Sequence, residues 1–138
     1  MTCRKTLIVL VVFLSLTGPA SAEHEVYYRY TVLGYLKDAR GTPLSGVSVS
    51  LTREKTGFRY LGETDAAGLY LIVARLGDES AGERLRLDAG EHRVSLVVTF
   101  DPRNHTEERG TRLDLVGGHS VERPSWFLST LRRVVGGE

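Results

Sequence analysis

The chain has 138 residues, and its 18 Lys and Arg against 17 Asp and Glu leave a formal net charge of +1, which excludes the strongly basic footprint of a nucleic-acid-binding protein. A chain of this length with a hydrophobic share of 41% makes one domain with its own core. A single cysteine, Cys3, excludes a disulfide framework.

The first residues read as an export signal. Arg4 and Lys5 precede the apolar run Leu7 to Leu16, broken only by Ser15, and Ala20 and Ala22 supply the small residues of an A-x-A cleavage site. Residues 1–22 are therefore expected to be removed after Ala22, taking Cys3 with them and tipping the charge balance to the acidic side. The run is short for a membrane span, so an uncleaved anchor is the weaker reading. The expected compartment is secreted or periplasmic, and the Arg/Gly/Val-rich composition suits a bacterial periplasm. Cleavage would make His24 the second residue of the mature chain. There its imidazole and the free α-amino group form a copper chelate as one reading, and a solvated terminal histidine as the plainer one.

Beyond this point the pattern predicts short strands: Tyr28 to Lys37, Val47 to Arg53, Phe58 to Thr64, Leu69 to Ala74, Arg84 to Leu87, His92 to Phe100 and Thr111 to Val116. Tyr27 and Tyr35 fall on the strand face opposite Tyr28 and Tyr30. The turn Asp38-Ala39-Arg40-Gly41, followed by Pro43, reverses the chain. After it Val47, Val49 and Leu51 alternate with Ser48, Ser50 and Thr52, which places the three apolar side chains in the core. In "DAAGLY", Gly68 is expected at positive φ before its strand. Seven strands separated by turn chemistry, with no crossover helix, predict an antiparallel sandwich or barrel rather than a parallel α/β sheet.

The strings "LGYLKDARGTPLSGVSVSL" and "GETDAAGLYLIVARL" carry a resemblance. Gly34, Asp38, Gly41, Pro43-Leu44, Gly46, Val47, Val49, Thr64-Asp65, Gly68 and Tyr70 resemble the carboxypeptidase regulatory-like domain, a seven-stranded Greek-key β-sandwich of the transthyretin-like (prealbumin-like) class. The likeness covers about the first half of the mature chain. After Leu76 this sequence departs from it, with "GDESAGERLRLDAGEHR" read as an additional hairpin or lengthened loop. The resemblance implies an all-β module over residues 23–123 that binds or supports a partner and is not itself an enzyme. The class also holds hydroxyisourate hydrolase, whose Y-R-G-S-like C-terminus has no counterpart here, so that activity is not carried over.

Enzymatic motifs are incomplete. His105 and Glu108 in "HTEE" reproduce an H-x-x-E spacing without a third ligand. "HEVYY" has Tyr28 where H-E-x-x-H needs histidine, and "GHSVE" has Glu122 where a nucleophile elbow needs glycine. No catalytic residue, cofactor or metal site is therefore expected, His24 being the one weak metal candidate. His92, His105 and His119 read as surface residues. Arg84, Arg86 and Asp88 on one face, and Arg112 with Asp114 on another, read as solvated outer faces of balanced charge.

Residues 124–138 change period. With Ser125 as N-cap, Phe127, Leu131, Val134 and Val135 fall at i, i+4, i+7 and i+8, which predicts a short amphipathic helix ending at Gly136-Gly137. The β-branched and aromatic content of "WFLSTLRRVV" keeps an extra strand as the alternative. Either the helix folds back on the domain, or Trp126, Phe127, Leu131 and Val134, flanked by Arg132 and Arg133, meet a partner protein or a membrane surface. The expectation is an exported module acting by protein contact in an envelope assembly. The alternatives are a small-ligand or copper carrier and a periplasmic hydrolase.

Overall fold

The computed structural model describes residues 26–136. The signal segment, the cleavage site and His24 lie outside the described residues. Eight strands are present among those described: β1 (Tyr28–Lys37), β2 (Ser48–Arg53), β3 (Phe58–Glu63), β4 (Leu69–Leu76), β5 (Arg84–Ala89), β6 (His92–Val97), β7 (Arg109–Val116) and β8 (His119–Glu122). A 3-10 turn (Asp78–Ser80) links β4 to β5, and a second (Pro124–Trp126) leads into helix α1 (Phe127–Gly136). Among the described residues no helix is long and apolar enough to cross a membrane.

Two four-stranded sheets, ordered β4-β1-β7-β8 and β3-β2-β5-β6, share one core. Tyr30, Val32, Leu36, Tyr70, Ile72, Leu113 and Leu115 reach it from the first sheet, and Val49, Leu51, Leu85, Leu87 and Leu96 from the second. Of the alternation after the first turn, Val49 and Leu51 are fully buried and Val47 is half-buried against the same cluster, but Ser50 and Thr52 on the opposite face are buried as well, where a solvated face was expected. The "GDESAGERLRLDAGEHR" departure is the 3-10 turn followed by the β5-β6 hairpin.

Both quoted turns are built by an aspartate. The Asp38 carboxylate accepts from the N–H groups of Arg40 and Thr42 at 2.9 Å each. Asp65 does the same for Ala67 and Leu69, an arrangement that substitutes for backbone pairing where the chain reverses. Gly68 has φ of 77°, the expected left-handed conformation. A Cβ there would also stand 2.5 Å from the Leu36 carbonyl oxygen.

Two features differ from the sequence reading. The strands number eight rather than seven, because His119–Glu122 pairs with β7. All four residues of β8 are exposed, so it is held by backbone bonds and leaves no apolar alternation. The sheets are also not wholly antiparallel: β1 and β7 run parallel. The chain between them passes through the other sheet, and a connection of that length permits a parallel pairing that no hairpin could make.

Candidate functional site

The outer face of the first sheet is where chemistry-bearing residues collect. Along β1 the inward positions are Tyr30, Val32 and Leu36, so Thr31, Leu33 and Tyr35 point outward; yet Thr31 and Leu33 are buried. The tail covers them. Phe127 is buried, its ring so close over Gly110 that a Cβ on that residue would lie 2.5 Å from it.

The parallel ladder skips Gly34 and Tyr35, pairing Leu33 with Arg112 and resuming at Leu36 with Leu115. Here the backbones come so close that a Cβ on Gly34 would lie 1.8 Å from the Leu113 carbonyl oxygen, which only glycine permits. Side chains make the missing bonds. The buried Tyr70 hydroxyl donates to the Leu113 carbonyl, and the Tyr35 N–H donates to Asp114 Oδ1 at 3.0 Å. Burial, reinforced by the negative charge of Asp114, pushes the Tyr70 hydroxyl far above the usual phenol range, so it remains a donor at every ordinary pH.

Asp114 organises the surface above it. Its carboxylate accepts from Arg112 Nε at 3.1 Å and from Arg123 Nη1 at 2.6 Å. Arg112 reaches the tail as well, donating to Thr130 Oγ1 at 3.0 Å, and that hydroxyl donates to the Trp126 carbonyl at 2.7 Å. The two guanidinium groups lie over the Trp126 ring, at 5.2 Å for Arg112 and 4.6 Å for Arg123. Arg112 also lies 5.1 Å over Tyr35, whose hydroxyl accepts from Arg133 Nη2 at 3.0 Å. The indole is thus fixed from the side while 49% of the residue remains exposed.

A second cluster sits where the loop between β6 and β7 meets the first 3-10 turn. Arg109 Nη2 donates to Asp78 Oδ1 at 2.9 Å and to the Asn104 carbonyl at 3.1 Å, and His105 Nε2 lies 2.9 Å from Asp78 Oδ2. The Arg109 guanidinium is enclosed by the rings of Phe100 at 4.1 Å and Tyr28 at 4.6 Å. Tyr28 in turn stacks on His105 at 4.8 Å. Arg109 Nη1 is buried with no hydrogen-bond partner among the described residues.

The four tail residues expected at a partner surface separate. Phe127 is taken up by the fold, a correction that follows from its seat over Gly110. Trp126 is open, and Leu131 and Val134 are half-buried. The helix forms, but it begins at Phe127, with Ser125 inside the preceding 3-10 turn rather than at its cap. Arg112 and Asp114 do share a face; that face lies under the tail instead of in solvent. His105 is exposed as expected but hydrogen-bonded to Asp78, and Glu108 is not part of that contact. The alternation of β7 is the signal that sets Arg112 and Asp114 on one face. Nothing local brings Tyr35, Arg123 and Trp126 to them.

No protein-family model and no curated protein matches the chain. Among solved structures it is similar to the dioxygenase domain of a dioxygenase and carbohydrate-binding protein fusion from Streptomyces sp. SirexAA-E. The identity is 17% over 70% of this chain and 83% of that one, with a TM-score of 0.48. It is also similar to Klebsiella pneumoniae 5-hydroxyisourate hydrolase, at 21% identity over 69% of this chain and 97% of that one, with a TM-score of 0.47. These neighbours have the transthyretin-like fold, and the narrower carboxypeptidase regulatory-like label has no counterpart among them. They correct the expectation that the chain is not an enzyme. Of the two named, one is a hydrolase and one a dioxygenase domain. The likeness concerns the fold, and no catalytic residue is transferred with it.

Proposed function

We propose that the chain is an exported Greek-key module of the carboxypeptidase regulatory-like type that docks a protein partner through the surface around Trp126, as an accessory subunit of an envelope assembly. One observation carries the reading: an indole half open to solvent, with the guanidinium groups of Arg112 and Arg123 against its ring and both held by Asp114. Trp, Tyr and Arg dominate the energetics of protein interfaces, and a side chain immobilised beforehand loses little entropy on binding. Tyr35 and Arg133 extend the same surface, and Val121, exposed on β8, borders it. The guanidinium groups favour an acidic partner surface.

The test is recovery of the native complex from the cell envelope. Trp126→Ala should weaken partner binding about thirtyfold, the loss of one strong interface anchor, with the fold retained by circular dichroism. Undiminished recovery with that variant would overturn the assignment. Export is checked by mass spectrometry of the secreted protein, which should begin at Glu23.

A further inference from the structure

Away from Trp126, the other end of the tail leaves the sheet. Phe127 is seated and Leu131 half-buried, while Val135, one turn beyond Leu131, is 73% exposed. The divergence opens a cleft of about 490 Å³ between the C-terminal half of α1 and the outer face of β1 and β4. That volume is in the range of small-ligand sites, roughly 300–1,000 Å³. Leu71 and Val73 of β4 form its floor, with Thr31 beside them, and Leu131 and Val135 its roof.

The charges on this cleft are uneven. Arg29 from β1 and Arg132 from α1 both line it, and neither guanidinium has an ion-pair or hydrogen-bond partner among the described residues. Glu108 is the single carboxylate on the lining, so two cations face one anion across an apolar slot. A neutral apolar chain would leave both guanidinium groups unused. A molecule with one terminal carboxylate and a long hydrocarbon chain uses every part: the carboxylate meets planar donors shaped for it, and the chain is withdrawn from water.

We propose that this cleft binds a long-chain fatty acid, its carboxylate on Arg29 and Arg132 and its chain along Leu71, Val73, Leu131 and Val135. The site stands apart from the Trp126 surface, so it is independent of the docking reading. Arg29, Arg132, Glu108 and Val135 are exposed, which lets each be changed without disturbing the core.

Palmitate, kept below its micellar concentration, is titrated calorimetrically into the purified protein, with methyl palmitate as the uncharged control. Saturable binding of palmitate at one site per chain is expected. Arg29→Ala and Arg132→Ala should each weaken it about tenfold, the loss of one charge-assisted contact, and methyl palmitate should bind at least as weakly as those variants. Glu108→Gln should move affinity the other way, tightening it about threefold. Absence of saturable binding overturns the proposal. So does equal affinity for the ester, or indifference to both arginine changes, since either would leave only an apolar slot without a carboxylate site.

Discussion

Asp114 and Asp78 each hold two basic side chains, as Asp88 does on the second sheet, and the first two clusters are inverted in exposure. Asp114 has 5% of its side chain exposed while its partner Arg123 has 37%. Asp78 has 39% exposed while its partner Arg109 has 6%. On the face beneath the tail the anion is buried and the cations come up to it; at the loop between β6 and β7 the cation is buried and the anion comes down. Which member sits inside decides what each pair does. Asp114 takes over a backbone bond, since the Tyr35 N–H has no strand partner at that point. Arg109 gathers loop carbonyls, those of Asn104 and Asp101, and so ties a segment without regular structure to the end of a strand.

The sharpest way to break the symmetry is to remove the buried anion. Asp114→Ala strands the Tyr35 N–H and leaves Arg112 pressed against the tail with no carboxylate, and should lower unfolding free energy by about 4 kcal/mol. Chemical denaturation measures it, and a loss below 1 kcal/mol would mean that water already satisfies these groups. A smaller effect is expected from lifting the cover. Phe127→Ala should cost about 3 kcal/mol, the usual range for a buried aromatic removed whole, with the sandwich still folded because the shared core contains no tail residue. The two changes should couple. Once water enters beneath the tail, the loss from Asp114→Ala should shrink, and strict additivity in the double variant would separate the roof from the ion pair.

The sequence carries the strands and turns legibly, because those depend on neighbours a few residues away. The period-two run from Val47 to Leu51, and Asp38 and Asp65 ahead of their glycines, state their own geometry. The apolar stripe of α1 is equally legible, yet the stripe does not say which part of it is covered; Phe127 finds its seat on Gly110, a residue of β7. The parallel β1-β7 pair, and with it the meeting of Tyr35 and Asp114, joins positions 79 apart, and no local pattern encodes that distance. β8 is missed for the opposite reason: its residues bury nothing, so its only signal is backbone pairing with a strand already in place.

The smallest effect belongs to the exposed anion, and pH is the instrument that resolves it. Burial acts to raise the Asp78 carboxyl, but hydrogen bonds from Arg109 and His105, with their charges, outweigh it and hold the group below its ordinary value. A carboxyl depressed in the folded state contributes stability above its unfolded value, near 3.9, and loses that contribution as pH falls through the lower folded value. Asp78→Asn keeps an oxygen for Arg109 and discards the charge. The variant should therefore be less stable than the parent at pH 7, by less than either change beneath the tail. That difference should close below about pH 4, as first the unfolded chain's carboxyl and then the folded one is protonated. Salt at about 1 M should narrow it at neutral pH as well, since Asp78 is open to solvent and its pairs are screened. Urea midpoints of both proteins at pH 7 and at about pH 2.5 decide the matter. A gap that persists undiminished in acid would mean that the asparagine perturbs packing around Arg109 and that the charge of Asp78 holds nothing in place.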